Sequence, residues 1–198
     1  MVIETMTLSL LLGKLAGGKI RNLEYLYIKG WYLFAISFLV EIASLLIVSK
    51  SIGNLSIIIE DKFYYIHIFI YLLLIIGLSM NFDENGFKIV LLGSISNFIP
   101  LVLNNGRMPV SVNALKYSKL YNQLSLLEEG RILTHTLTSE TTKFLYLCDI
   151  IPIPDPYIFP KIISIGDIFI ALGLFVLIFS YMKRKYKNHE ITIDYYKS

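Results

Sequence analysis

The chain has 198 residues, of which 55% are hydrophobic and only 17% charged, with a net charge of +3 and a mean hydropathy of +0.63. That composition lies outside the soluble globular range and inside the membrane class. The excess positive charge does not mark a nucleic-acid binder, because Lys and Arg gather beside the ends of apolar segments rather than along one surface helix.

The first apolar segment runs from Met1 to Ala16. Glu4 stands where a secretory signal needs positive charge, and Lys14 interrupts the run before the small residues Gly17 and Gly18, so the segment reads as a retained helix. Four more follow: Trp31 to Val48, Phe63 to Met80, Phe87 to Leu103 and Ile162 to Met182. Each approaches the length a helix needs to cross roughly 30 Å of hydrocarbon at about 1.5 Å per residue, the first only marginally. They are apolar all round, whereas a helix of a soluble domain must show water a polar face. The expected fold is therefore all-α: a polytopic transmembrane helix bundle of about five spans, forming one integral membrane domain over residues 1–198.

Charge sets the orientation. Lys14, Lys19, Arg21 and Lys29 surround the first connection, and the run Lys183-Arg184-Lys185-Tyr186-Lys187 follows the last span. The positive-inside bias puts both in the cytoplasm, with 183–198 as a basic cytoplasmic tail and the N-terminus outside. Asn81 to Gly86 becomes a polar cytoplasmic turn, and residues 104–161 an extracytoplasmic loop. In that loop Leu115, Leu120, Leu124 and Leu127 share one helical face and Gly130 stands where a helix would stop, which predicts an amphipathic helix. A second short helix is expected over Ser139 to Cys148. Pro152, Pro154, Pro156 and Pro160 then force an extended strap into the last span, so the loop forms a partly helical, proline-rich cap. Cys148 is the single cysteine, which excludes an internal disulfide, and it reads as a structural thiol.

Four polar side chains interrupt the spans: Glu41, His67, Asn97 and Asp167. An acid near mid-membrane costs about 2.5 to 3.5 kcal/mol, so each calls for a partner. At about 1.5 Å per residue all four fall roughly 6 to 11 Å below the outer surface. A shared layer implies a partly hydrated pocket opening outward. Gly166 and Gly173 share a face of the last span, where small residues permit close helix packing.

The sequence Asn105-Gly106-Arg107-Met108-Pro109 directly after the fourth span, His135, Asp149, and Ser164-Ile165-Gly166-Asp167 together carry a resemblance. The chain resembles a family of small bacterial multi-pass membrane proteins, a domain of unknown function, over nearly its whole length. The resemblance implies the bacterial cytoplasmic membrane and supplies neither an activity nor catalytic residues.

Read physically, Asn105 and Gly106 form a bend that presents Arg107 at the outer surface, where a guanidinium holds a carboxylate or phosphate bidentately. Its expected anion is Asp149 or Asp167 of the same chain, or a lipid headgroup. The spacing of His135, Asp149 and Asp167 favours no metal site, and no cofactor is implied. Phosphate-binding glycine loops, Gly-x-Ser-x-Gly elbows, His-Glu-x-x-His pairs and Cys-x-x-Cys pairs are all missing from the sequence. The leading expectation is a non-enzymatic membrane component with an outward polar pocket, formed by Arg107, Asn105, His135, Asp149, Asp167 and Glu41. Its ligand would be an anionic lipid headgroup, a small molecule or another membrane protein. The alternative is a membrane enzyme using His135 with Asp149 or Asp167 as acid and base and Arg107 as an anion clamp.

Overall fold

A computed structural model describes residues 1–184, so the expected basic tail beyond Arg184 lies outside the described residues. The helices are α1 (Val2–Leu15), α2 (Trp31–Ser49), α3 (Gly53–Ser79), α4 (Asn85–Leu103), α5 (Val112–Tyr117), α6 (Tyr121–Glu128) and α7 (Ile165–Lys183). Four short strands, β1 (Met108–Val110), β2 (His135–Leu137), β3 (Ile151–Ile153) and β4 (Lys161–Ile163), lie in the segment between α4 and α7.

Four helices, α2, α3, α4 and α7, are long and apolar enough to cross a membrane. The remaining apolar segment, α1, is marginal as its sequence implies: its 14 residues rise only about 21 Å against roughly 30 Å of hydrocarbon. α1 nevertheless lies along the others. Lys161 donates to Glu4 near its start (2.6 Å), and the Lys19 N–H reaches the Met182 carbonyl beyond its end (2.9 Å), so α1 and α7 run in the same direction.

Each helix packs chiefly on the next in the spatial order α1, α7, α4, α3, α2. The α4–α7 contact is the tightest because glycines interleave across it. A Cβ on Gly93 would stand 2.5 Å from the Gly166 carbonyl, and one on Gly173 would stand 2.6 Å from the Val90 nitrogen. Side chains there would push the backbones apart. On α2, by contrast, Phe38, Leu39 and Leu46 point away from the protein, the pattern of a helix whose apolar surface meets lipid rather than a core.

The chain alternates between two ends. One holds the turns at 16–30 and 80–84 and is knit by polar contacts: Lys29 to Asp83 (2.8 Å), Arg184 to Glu84, and the Asn81 side chain bonded to the Lys29 backbone at both its N–H and its carbonyl (2.8 Å each). The other end carries residues 104–164 as a cap. The cap has its own small core, in which Val110, Leu115, Leu124 and Leu127 are buried together.

Three local expectations change. α3 begins at Gly53, well before Phe63, because Glu60-Asp61-Lys62 interrupt the apolar run without interrupting the helix. The amphipathic helix is two short helices, α5 and α6, parted where Lys119 takes a positive φ of 55°. The helix expected over Ser139 to Cys148 shrinks to a 3-10 turn at Leu145–Leu147. The proline strap is extended only at its two ends, where β3 and β4 pair antiparallel, and between them it turns back on itself over residues 154–160.

Candidate functional site

Ser164, the N-cap of α7, accepts the Asp167 N–H (2.9 Å), while the Asp167 carboxylate accepts the Ser164 N–H (3.1 Å), a reciprocal capping box. The same two side chains reach across to α4. Ser164 Oγ donates to Asn97 Oδ1 (2.7 Å), and Asn97 Nδ2 donates to Asp167 Oδ1 (3.0 Å). Gly166 makes this possible, since a Cβ there would stand 2.0 Å from Asn97 Oδ1. The Ser-Ile-Gly-Asp motif thus locks the start of α7 to α4.

His67 on α3 bonds through Nδ1 to the Gly106 carbonyl (2.6 Å). A carbonyl only accepts, so Nδ1 carries the proton. His67 also meets the Tyr71 ring edge-on, and Tyr71 stacks on Phe98, the neighbour of Asn97. Asn97 and Asp167 are thus bonded directly at the cap end, and two successive ring pairs, His67 with Tyr71 and Tyr71 with Phe98, lead from His67 to the residue next to Asn97. Glu41 is separate: it is half-buried on α2, with no hydrogen-bond partner among the described residues, and it lines neither cap cleft.

In the cap, β1 and β2 pair in parallel, with Met108 opposite His135 and Pro109 opposite Thr136, and Asp149 bridges to Val110 on the other edge of β1. This brings His135 Nε2 within 3.6 Å of Asp149 Oδ2, and Thr134 Oγ1 lies 2.7 Å from His135 Nδ1. Burial pushes the Asp149 carboxyl up to about 8, with the nearby Asp167 charge adding to the rise. Burial also lowers His135 to about 4, helped by the proximity of His67. Both shifts favour the uncharged forms, a protonated carboxyl beside a neutral imidazole.

Arg107 does not join them. The expected ion pair with Asp149 or Asp167 is absent: Asp149 is turned to His135, and the Asp167 carboxylate is taken up by Ser164 and Asn97. Successive strand residues face opposite sides, so His135 and Thr136 diverge. Arg107 lines the Thr136 side, in a cleft of about 390 Å³ with Glu60, Asp61, Tyr64, Asn104 and Asn105. A second cleft of about 340 Å³ lies beyond Asn104 and Asn105, toward Thr141 and Lys143. The six residues expected in one pocket thus divide into Arg107 with Asn105, the His135–Asp149 pair, the Asp167 lock, and Glu41 alone. Sequence reasoning missed Glu60, Asp61 and Tyr64. The signal that could have found them is the charged triplet Glu60-Asp61-Lys62 just before an apolar run. Among the described residues no cluster of three or more His, Cys, Asp or Glu side chains is arranged to hold a metal ion.

The model of a family of unknown function, DUF5317, matches residues 25–179. The chain belongs to this family. It is also similar to an uncharacterised protein of Thermotoga maritima, 30% identical over 176 residues that cover 89% of each chain. No solved structure matches it.

Proposed function

We propose that the protein is a non-enzymatic integral component of the bacterial cytoplasmic membrane, whose cap faces outward and binds a small polar ligand or lipid headgroup in the Arg107 cleft. The four apolar helices and the lipid-like exposure of α2 support membrane insertion. The charge of the first connection supports the orientation. The observation that carries the binding reading is Arg107 itself, a half-buried guanidinium with no ion-pair partner among the described residues, in a cleft of ligand size. A guanidinium in such a place is a ready anion site. The test is native mass spectrometry of the detergent-solubilised protein. Wild type should retain a small ligand or phospholipid that Arg107→Gln loses by about tenfold or more, the scale of one charge-assisted contact. Equal retention by the two proteins would sink this reading.

The His135–Asp149 contact favours an enzyme as the second reading, since a neutral imidazole beside a protonated carboxyl is a workable base and acid. It is weaker because the proposed anion clamp, Arg107, lines the cleft on the opposite side of the strand pair from His135.

A further inference from the structure

The Arg107 cleft has two walls of opposite charge that do not neutralise each other. Arg107 projects from the turn after α4, and Glu60 and Asp61 project from α3. Arg107 and Glu60 have no ion-pair partner among the described residues, and Asp61 has only its neighbour Lys62, at 2.7 Å. Flexible side chains of opposite charge sharing one cleft normally close on each other. Here the backbone behind Arg107 is held. The Gly106 carbonyl is bonded to His67, and the Asn104 side chain is tied to the Pro100 carbonyl (2.7 Å) and to both backbone groups of Lys143 (2.9 and 3.0 Å). Gly106 also packs so closely on Tyr64 that a Cβ would fall 2.8 Å from its Cα. The result is a cation on a held turn and two exposed acids of α3 lining one cleft, with the Tyr64 side chain among its walls.

We infer that the cleft recognises a zwitterion, a small group carrying an ammonium and a phosphate or carboxylate within a few bonds of each other, such as a phosphoethanolamine headgroup. This rests on the binding reading above and specifies its ligand. The anionic end is taken by Arg107 in a bidentate contact. The ammonium end is taken by Glu60, with Asp61 and the Tyr64 side chain lining the same cleft. A purely anionic ligand would meet Glu60 and Asp61 as repulsive groups, so the same residues that attract one end reject ligands lacking it.

The experiment is equilibrium binding to the full-length protein in detergent, with four probes: dihexanoyl-phosphatidylethanolamine, dihexanoyl-phosphatidylglycerol, free O-phosphoethanolamine and inorganic phosphate. The two ethanolamine probes should bind at least about tenfold more tightly than their anionic counterparts, one charge-assisted contact being worth about that factor. Binding of the acylated form alone identifies a lipid headgroup as the source, and binding of the free form as well identifies a soluble ligand. Glu60→Gln combined with Asp61→Asn alters only exposed side chains. It should abolish the preference while leaving residual phosphatidylglycerol binding, which Arg107→Gln should remove. If phosphatidylglycerol or phosphate binds as tightly as the ethanolamine probes, or the acid variant keeps the preference, the zwitterion inference is overturned and the cleft is a plain anion site. If no probe binds saturably, the binding reading fails with it.

Discussion

Gly106 is the residue on which the cap's attachment turns. Its φ of +72° is in the region that favours glycine, and its missing Cβ is what lets the bend lie against Tyr64. Both constraints act against any larger residue, so Gly106→Ala should destabilise the purified protein by about 1–3 kcal/mol, the usual cost of a strained backbone position. A thermal-unfolding midpoint within error of wild type would show that the bend is not seated as described. The motif around Gly106 was legible as a turn in the sequence, because Asn-Asn-Gly carries its own local chemistry. That Arg107 would stand apart from both Asp149 and Asp167 was not legible. Which side of a strand pair a residue takes depends on a register that only the folded cap defines.

Among the elements, the β1–β2 pair and the Asp149 bridge tie three distant segments of the cap together, and they do so over an uncharged His135–Asp149 contact. In the unfolded chain the carboxyl ionises near 3.8 and in the folded protein near 8. Between those values the folded state keeps a proton that the unfolded state has lost, so stability falls as pH rises. His135 works in the opposite sense between 6.5 and about 4, where only the unfolded state holds the proton. The two effects oppose each other below 6.5, and above it Asp149 acts alone. The unfolding midpoint should therefore decline from pH 6.5 to 8, and Asp149→Asn should flatten that decline. An unchanged slope in the variant would show that the carboxyl is already ionised in the folded protein. In helix α3 the apolar run and the helix begin at different residues. Hydropathy ends at Glu60-Asp61-Lys62, but helical hydrogen bonding does not, so a span boundary read from apolarity concealed the acids that line the cleft. The loss of the expected helix before Cys148 has a different cause. The Lys143 backbone is bonded to Asn104 instead, a tertiary contact that local propensity cannot foresee.

For the whole molecule, the alternation of apolar and polar stretches was enough to read an all-helical protein with a proline-rich cap, because hydrocarbon length and the positive-charge bias act on the sequence directly. The first segment, only marginally long in the sequence, forms α1 of 14 residues, below spanning length. The central claim is that the cap faces outward and the knit end containing residues 80–84 faces the cytoplasm. Cysteines placed singly at the exposed positions Ser125 in the cap and Asn85 beside that knit end, in a Cys148→Ser background, address it directly. In intact cells a membrane-impermeant maleimide should label Ser125→Cys, and Asn85→Cys should react only after the membrane is opened. Labelling of Asn85→Cys in intact cells with Ser125→Cys protected would invert the molecule, and equal labelling of both would contradict a membrane-spanning arrangement.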